Sequence, residues 1–460
     1  MAYETTSRRE FLKFAALGFG ASLFPGLVFA AAGKDVAAGQ AAASGQAVPY
    51  RVGQWLPSDQ ATLNKWMAAH IREVDANPGV LHPVLVEFKA LIENDPVVFM
   101  LFHQMFEELP KRRRFSKTPA GTPQVRDYKH MLLLINAVLT KAPEYNTTGL
   151  VGFPINAILD WPMGTGSGFA AFTNDKVNAQ LKKVLNEWGR FLTSKQSCHV
   201  LTDDPHKGWF GRDAKKAMPN FASEFQCDPG KPHYGFTSWD DFFTRRFREG
   251  QRPVASPNDD SVIANACESA PYRIAKGVKR QDRFWIKSQP YSLTHMLAGD
   301  ELADRFVGGT IYQAFLSALS YHRWHSPVSG TIVKTILKDG SYYAEALAMG
   351  FDPAGPNESQ GFITDVAARG MIFIEADNPA IGLMCFMAVG MAEVSTCEIT
   401  VKAGQHVKKG EQLGMFHFGG STHCLIFRPQ VKLEFDLHGQ KPGLESSNIK
   451  INSRIATVLP

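Results

Sequence analysis

The rhythm of apolar residues changes near residue 236, and that change constrains the fold more than any other feature. From about 58 to 200, apolar side chains recur every three to four positions. Leu63, Trp66, Met67, Ile71 and Val74 form one such stripe, and Val84, Leu85, Phe88, Leu91 and Ile92 form another before Pro96. Met131, Leu132, Ile135, Val138 and Leu139 continue the pattern, as do Val177, Leu181, Val184, Leu185, Trp188 and Leu192. Stripes of this period bury one face of a helix. Val97 to Phe102 is apolar on all sides, which predicts a buried helix, with a membrane-docking helix as the alternative. Beyond 236, Thr237-Ser238-Trp239-Asp240-Asp241-Phe242-Phe243 reads as a capped helix start. Short runs rich in Val, Ile, Phe and Tyr then follow between Gly, Pro and Asp-Gly turns. Thr331 to Ile336 before Asp339-Gly340, Met371 to Glu375, and Leu383 to Val389 are examples. The expected class is α+β, with a helical N-terminal domain over 51–235 and a mostly β domain over 236–460.

Two segments of the β half, 326–332 and 402–410, resemble the hairpins of lipoyl-type barrel-sandwich folds. Upstream of both domains, Ser7-Arg8-Arg9-Glu10-Phe11-Leu12-Lys13 matches the twin-arginine export pattern, and an apolar stretch from Phe14 to Ala30 follows it. That stretch is short for a membrane span and contains Pro25, so residues 1–30 read as a removable signal. The expected location is the periplasm, with membrane association if the signal stays uncleaved. Residues 31–50, rich in Ala, Gly and Gln, read as a linker. In an oxidising compartment Cys198 and Cys227 are the first candidates for a disulfide, with buried free thiols as the alternative. The net charge of +5 on 460 residues is small, and only Lys111 to Arg114 forms a dense basic run, so nucleic acid is not an expected partner. A homo-oligomer is compatible with this composition.

The candidate chemistry centres on Phe416-His417-Phe418-Gly419-Gly420-Ser421-Thr422-His423. Two glycines before a serine permit backbone conformations that other residues resist, and the Ser421 hydroxyl could reach back to the Gly420 carbonyl. A bulge or plain turn is the structural alternative. Tyr321-His322-Arg323-Trp324-His325 places two imidazoles three residues apart, one able to act as a base near neutral pH. Structural histidines or a metal site would also explain the pair, but no Asp, Glu or Cys stands beside them at ligand spacing. Trp324 is either an aromatic pocket wall or a core residue. Asn265-Ala266-Cys267-Glu268-Ser269 sets one carboxylate in an apolar context, where a histidine is the obvious partner.

Together, Gly419-Gly420-Ser421-Thr422, the Tyr321-to-His325 stretch and Phe242-Phe243-Thr244-Arg245-Arg246 through Arg252-Pro253 resemble the phosphatidylserine decarboxylase family. Met105-Phe106-Glu107-Glu108-Leu109-Pro110 and Gly152-Phe153-Pro154-Ile155-Asn156-Ala157 look like the extra domain of a branch that includes fungal tryptophan decarboxylases. The resemblance implies self-cleavage between Gly420 and Ser421, giving a β chain ending at 420 and an α chain over 421–460. It implies a covalent pyruvoyl cofactor made from Ser421, with no metal. His325 would be the base that activates Ser421, His322 would sit in the substrate site, and Glu268 would be the triad acid. Glu268 departs from the family here, since most members carry Asp at this place.

Three readings of function follow. One is a decarboxylase of a free aromatic amino acid such as tryptophan; another is a phosphatidylserine decarboxylase acting on an aminophospholipid. The third is a non-catalytic relative that only binds, against which the intact Gly420-Ser421 and both histidines speak. A serine hydrolase would need a nucleophile elbow that the sequence lacks.

Overall fold

The structure is a computed structural model that describes residues 60–108, 125–146, 154–282, 291–317, 319–344, 359–393, 396–443 and 445–460. The expected signal over 1–30, the linker over 31–50, the basic run at 111–114 and Gly152-Phe153 lie outside those residues. All described residues belong to one compact unit.

The first half is helical, as the apolar stripes require. α1 (Gln60–Ala76), α2 (Pro83–Asn94), α3 (Pro96–Glu108), α4 (Tyr128–Val138), α5 (Pro154–Met163), α6 (Gly166–Phe172) and α7 (Asp175–Leu192) follow in order. Asp127 and Asn174 cap α4 and α7 by accepting backbone N–H bonds. Helix α3 departs from expectation. Val98, Leu101, Phe102, Met105 and Phe106 are buried, but Val97, Phe99 and Met100 are exposed, so the helix is covered on one side only. Among the described residues no helix is long and apolar enough to cross a membrane. The six cysteines are all free thiols, so the Cys198–Cys227 bridge does not form. Cys198 is buried in the core, where its thiol is directed at the Phe236 carbonyl, 3.8 Å away.

The second half is built on an open antiparallel sheet of seven strands. Its order is β2 (Ala270–Lys276), β3 (Thr310–Leu316), β11 (Gly420–Phe427), β7 (Leu383–Met391), β6 (Arg369–Ala376), β5 (Gly330–Lys338) and β9 (His406–Val407). Two three-stranded sheets flank it. One is β4 (Arg323–His325), β10 (Gln412–Phe416) and β8 (Cys397–Ile399), in the order β4-β10-β8; the other joins β1 (Val262–Ala264), β13 (Arg454–Val458) and β12 (Leu433–Phe435). The two segments with lipoyl-type character lie together: Gly330 pairs with Val407 and Thr331 with His406.

Period-two alternation sorts the large sheet's side chains onto two faces. Cys424 and Ile426 of β11 join the core shared with the helices, while Leu425 and Phe427 join the core shared with the small sheets. The helical half is welded to the first of these cores. Trp188 of α7 meets Phe418 edge-on at 5.1 Å, Asn178 accepts from the Tyr342 N–H, and the Asn156 N–H donates to Glu393.

Candidate active site

Ser421 stands near the start of β11, between Leu316 of β3 and Gly390 of β7, close to the middle of the seven-stranded sheet. Gly419 has φ of +151°, a value few other residues adopt, and Gly420 then enters the strand. The serine is fully buried and its Oγ has no hydrogen-bond partner. An unsatisfied buried hydroxyl costs about 1–3 kcal/mol, so this one is held dry and uncommitted at a stated price in stability.

The two histidines have different surroundings. His322 is fully buried and stacks on Phe243 at 3.9 Å, and Phe243 in turn meets Phe418 edge-on at 5.4 Å. The His322 carbonyl accepts from the Phe416 N–H, which ties this histidine to the strand leading to Ser421. Neither ring nitrogen has a hydrogen-bond partner. Burial and the nearby Arg245 charge push its pKa well below the usual imidazole range, which the backbone at Ser320 and Ser317 opposes only in part. Arg245, itself buried, donates to the carbonyls of Leu319 and Ser320 and so fixes the loop that delivers His322.

His325 is held at both ring nitrogens, Nδ1 to the Gly410 carbonyl at 2.8 Å and Nε2 to the Tyr321 hydroxyl at 3.0 Å. A carbonyl can only accept, so Nδ1 carries the proton and Nε2 is the basic nitrogen. Burial lowers its pKa to about 4, and the ring is neutral at pH 7. In the uncleaved chain no hydrogen bond joins Ser421 to either histidine.

Glu268 does not hydrogen-bond to His325. Arg252 grips it with Nε at 3.2 Å from both oxygens and a terminal nitrogen at 2.8 Å, and the Ile451 N–H adds a bond of 2.7 Å. The link to His325 is indirect: Arg252 lies over Phe247 at 4.1 Å, and Phe247 packs on Tyr321 at 4.4 Å. The orienting place at His325 Nδ1, expected for Glu268, is taken by the Gly410 carbonyl. Trp324 is a fully buried core residue against Phe386 and Phe416. Among the described residues no group of three or more His, Cys, Asp or Glu could hold a metal.

The sequence reading passed over His423. Two residues beyond Ser421 on one strand, it lies between Tyr312 and Phe386, with both ring nitrogens unpartnered and its pKa lowered to about 3 by burial. Counting by twos from Ser421 along a strand would have found it.

Residues 82–218 and 239–456 both match the phosphatidylserine decarboxylase family. The L-tryptophan decarboxylase of Psilocybe cubensis is 39% identical over 88% of this chain and 94% of its own length. The decarboxylase iboD of Amanita muscaria is 45% identical over 67% of this chain and 91% of its own. The phosphatidylserine decarboxylase proenzyme of Fusobacterium nucleatum is 28% identical over 54% of this chain and 79% of its own. By class, then, the protein is a carboxy-lyase. It belongs to the phosphatidylserine decarboxylase family, and its resemblance to the tryptophan decarboxylase runs through the helical half as well.

Proposed function

We propose that this chain is a proenzyme that cuts itself between Gly420 and Ser421 and then removes CO2 from a free aromatic L-amino acid, tryptophan foremost. The observation that carries the cleavage is the dry, unpartnered Ser421 hydroxyl beside two glycines. His325 takes the Ser421 proton on Nε2 once the Tyr321 hydroxyl gives way, and the Ser421 oxygen attacks the Gly420 carbonyl carbon. The acyl group moves from nitrogen to oxygen. Loss of the proton on the Ser421 α-carbon then expels Gly420 as a free carboxylate and leaves a dehydroalanine. Water adds, ammonia leaves, and residue 421 ends as a pyruvoyl ketone heading the 421–460 chain.

The surroundings fit such a group, since Ser421 is sealed from solvent with no side chain bonded to it. A pyruvoyl group supplies an electrophile for the substrate amine and an electron sink for the carbon that loses CO2. His322, unbonded beside the Phe416–Ser421 segment, would take a proton from water and pass it to that carbon. Length of match favours the free amino acid: the tryptophan decarboxylases match nearly the whole chain, whereas the Fusobacterium phosphatidylserine decarboxylase matches about half. Phosphatidylserine remains the second reading on the strength of the β half. The Arg8-Arg9 signal, if used, would carry the folded two-chain enzyme to the periplasm.

Intact-mass analysis of purified protein should resolve a 421–460 chain whose first residue lacks an amine. CO2 release should be assayed from tryptophan, phenylalanine, tyrosine and phosphatidylserine. A single uncut chain with full activity would end the pyruvoyl reading, and turnover of phosphatidylserine alone would end the amino-acid one.

A further inference from the structure

Three polar side chains follow one another at the head of β11, and the sheet treats them differently. Thr422 faces the helices, where its hydroxyl donates to the Ala314 carbonyl and accepts from Gln313. Ser421 and His423 fall on the opposite face, in line with Leu425 and Phe427. Neither makes a side-chain hydrogen bond: the Ser421 Oγ and both His423 ring nitrogens are buried and unpartnered. Tyr312, which pairs with Leu425 and meets the His423 ring edge-on at 6.0 Å, also has an unpartnered hydroxyl.

The strand pairing explains why the two are left free. Ser421 stands between Leu316 and Gly390, and His423 between Ala314 and Ala388. Directly paired residues share a face of an antiparallel sheet, so no polar side chain flanks either of them. His423 is thus the polar group that the strand itself sets beside residue 421, two residues or about 7 Å along. Its ring stacks on Phe386 at 5.9 Å, and burial lowers its pKa to about 3. The imidazole is therefore neutral at pH 7, with one N–H to donate. A neutral imidazole can polarise a carbonyl, and a dry site strengthens that bond.

We propose that His423 is a catalytic residue that donates a hydrogen bond to the ketone oxygen made at residue 421 and so activates that ketone toward the substrate's amine. The inference rests on the self-cleavage reading above. His322 and His325 belong to the chain that ends at 420, whereas His423 becomes the third residue of the 421–460 chain. Residues 421–427 are paired with β3 on one side and β7 on the other, so their spacing does not depend on the segment that the cut releases. As the amine nitrogen bonds to the ketone carbon, the C=O electron pair moves onto the oxygen, where the His423 N–H meets it. The oxygen then leaves as water with two protons from that nitrogen, and His423 keeps its own.

The test measures how fast hydroxylamine, a small amine that condenses with ketones, labels the 421–460 chain of processed protein, read by intact mass. His423→Leu and His423→Gln both remove the ring, so a packing loss is common to them, but only Gln keeps an N–H. Both should still self-cleave, because the imidazole bonds nothing in the uncut chain. Labelling should slow by roughly 100-fold in His423→Leu, the scale of losing one preorganised donor, and by less than about tenfold in His423→Gln. Equal rates in the two variants, or a His423→Leu rate within about threefold of wild type, overturn the proposal alone. A His423→Leu chain that stays uncut overturns it as well, by placing His423 ahead of the ketone. Wild type that carries no ketone to label overturns the self-cleavage reading and this inference with it.

Discussion

Replacing Glu268 by Gln separates two roles for this carboxylate. If it acted on His325, the change would slow self-cleavage with little effect on stability. The structure instead commits it to Arg252, with side-chain exposures of only 12% and 8%. Gln keeps the shape and one acceptor oxygen but turns the other into a donor. Both oxygens of Glu268 now face donors, Arg252 on one side and the Ile451 N–H with Arg252 on the other. Removing one partner of a buried ion pair costs about 3–5 kcal/mol. Glu224 remains 3.2 Å from Arg252 as a second anion, and Gln retains the packing, so about 2–3 kcal/mol is expected. Thermal unfolding is best measured in the Ser421→Ala background, where processing cannot change the species being melted. The midpoint should fall by about 2–4 °C. In the processing-competent chain, cleavage should slow less than tenfold, because Arg252 still packs on Phe247 beneath Tyr321. Unchanged stability with cleavage slowed a hundredfold would refute this reasoning and return Glu268 to the triad.

His325→Ala should stall cleavage, whereas His322→Ala should still cleave, by intact mass, and lose most CO2 release; the reverse pattern would exchange their roles. His417 carries a pH prediction. Burial alone would make it less basic, but its bonds to Asp240 and Glu398 prevail and raise its pKa to about 9. A raised histidine stabilises fully below its unfolded value near 6.5 and loses that contribution as pH climbs through 9. With Glu398 half exposed, roughly 1–2 kcal/mol is at stake. The stability gap between wild type and His417→Gln should therefore narrow by that amount from pH 6 to pH 10, and a constant gap would remove the charge from the account. Changing Arg8 and Arg9 to Lys should trap active two-chain enzyme inside the cell, by fractionation and activity assay; uncleaved precursor there would mean that maturation needs the exported compartment.

Periodicity was enough to read the architecture. The stripes from Leu63 to Leu192 became helices, Ser238 became a cap that accepts from the Asp241 N–H, and the runs at 331–336, 371–375 and 383–389 became neighbouring strands β5, β6 and β7. Partner choice was not legible in the same way. An isolated carboxylate and an isolated histidine in apolar sequence suggest each other. Yet Glu268 found an arginine sixteen residues upstream, and His325 found a carbonyl eighty-five residues downstream. Both outcomes follow from the same rule, that a buried polar group takes a hydrogen-bonding partner, but the partner is chosen by the folded chain. Helix α3 failed for a related reason. An all-apolar window states only that its residues tolerate burial, and Val97, Phe99 and Met100 lie on the side nothing described covers.

Three residues with unsatisfied groups stand at the chemistry. The Ser421 Oγ, both nitrogens of His322 and both nitrogens of His423 are all buried without partners. Each costs stability, and a fold selected for stability alone would bond or replace them. Ser421 and His423 lie on β11, and His322 is tied to Phe416 just upstream. The helical half meets the same segment through apolar contacts, as Trp188 does against Phe418. The cost accepted at Ser421, His322 and His423 is therefore best understood as part of the reaction site.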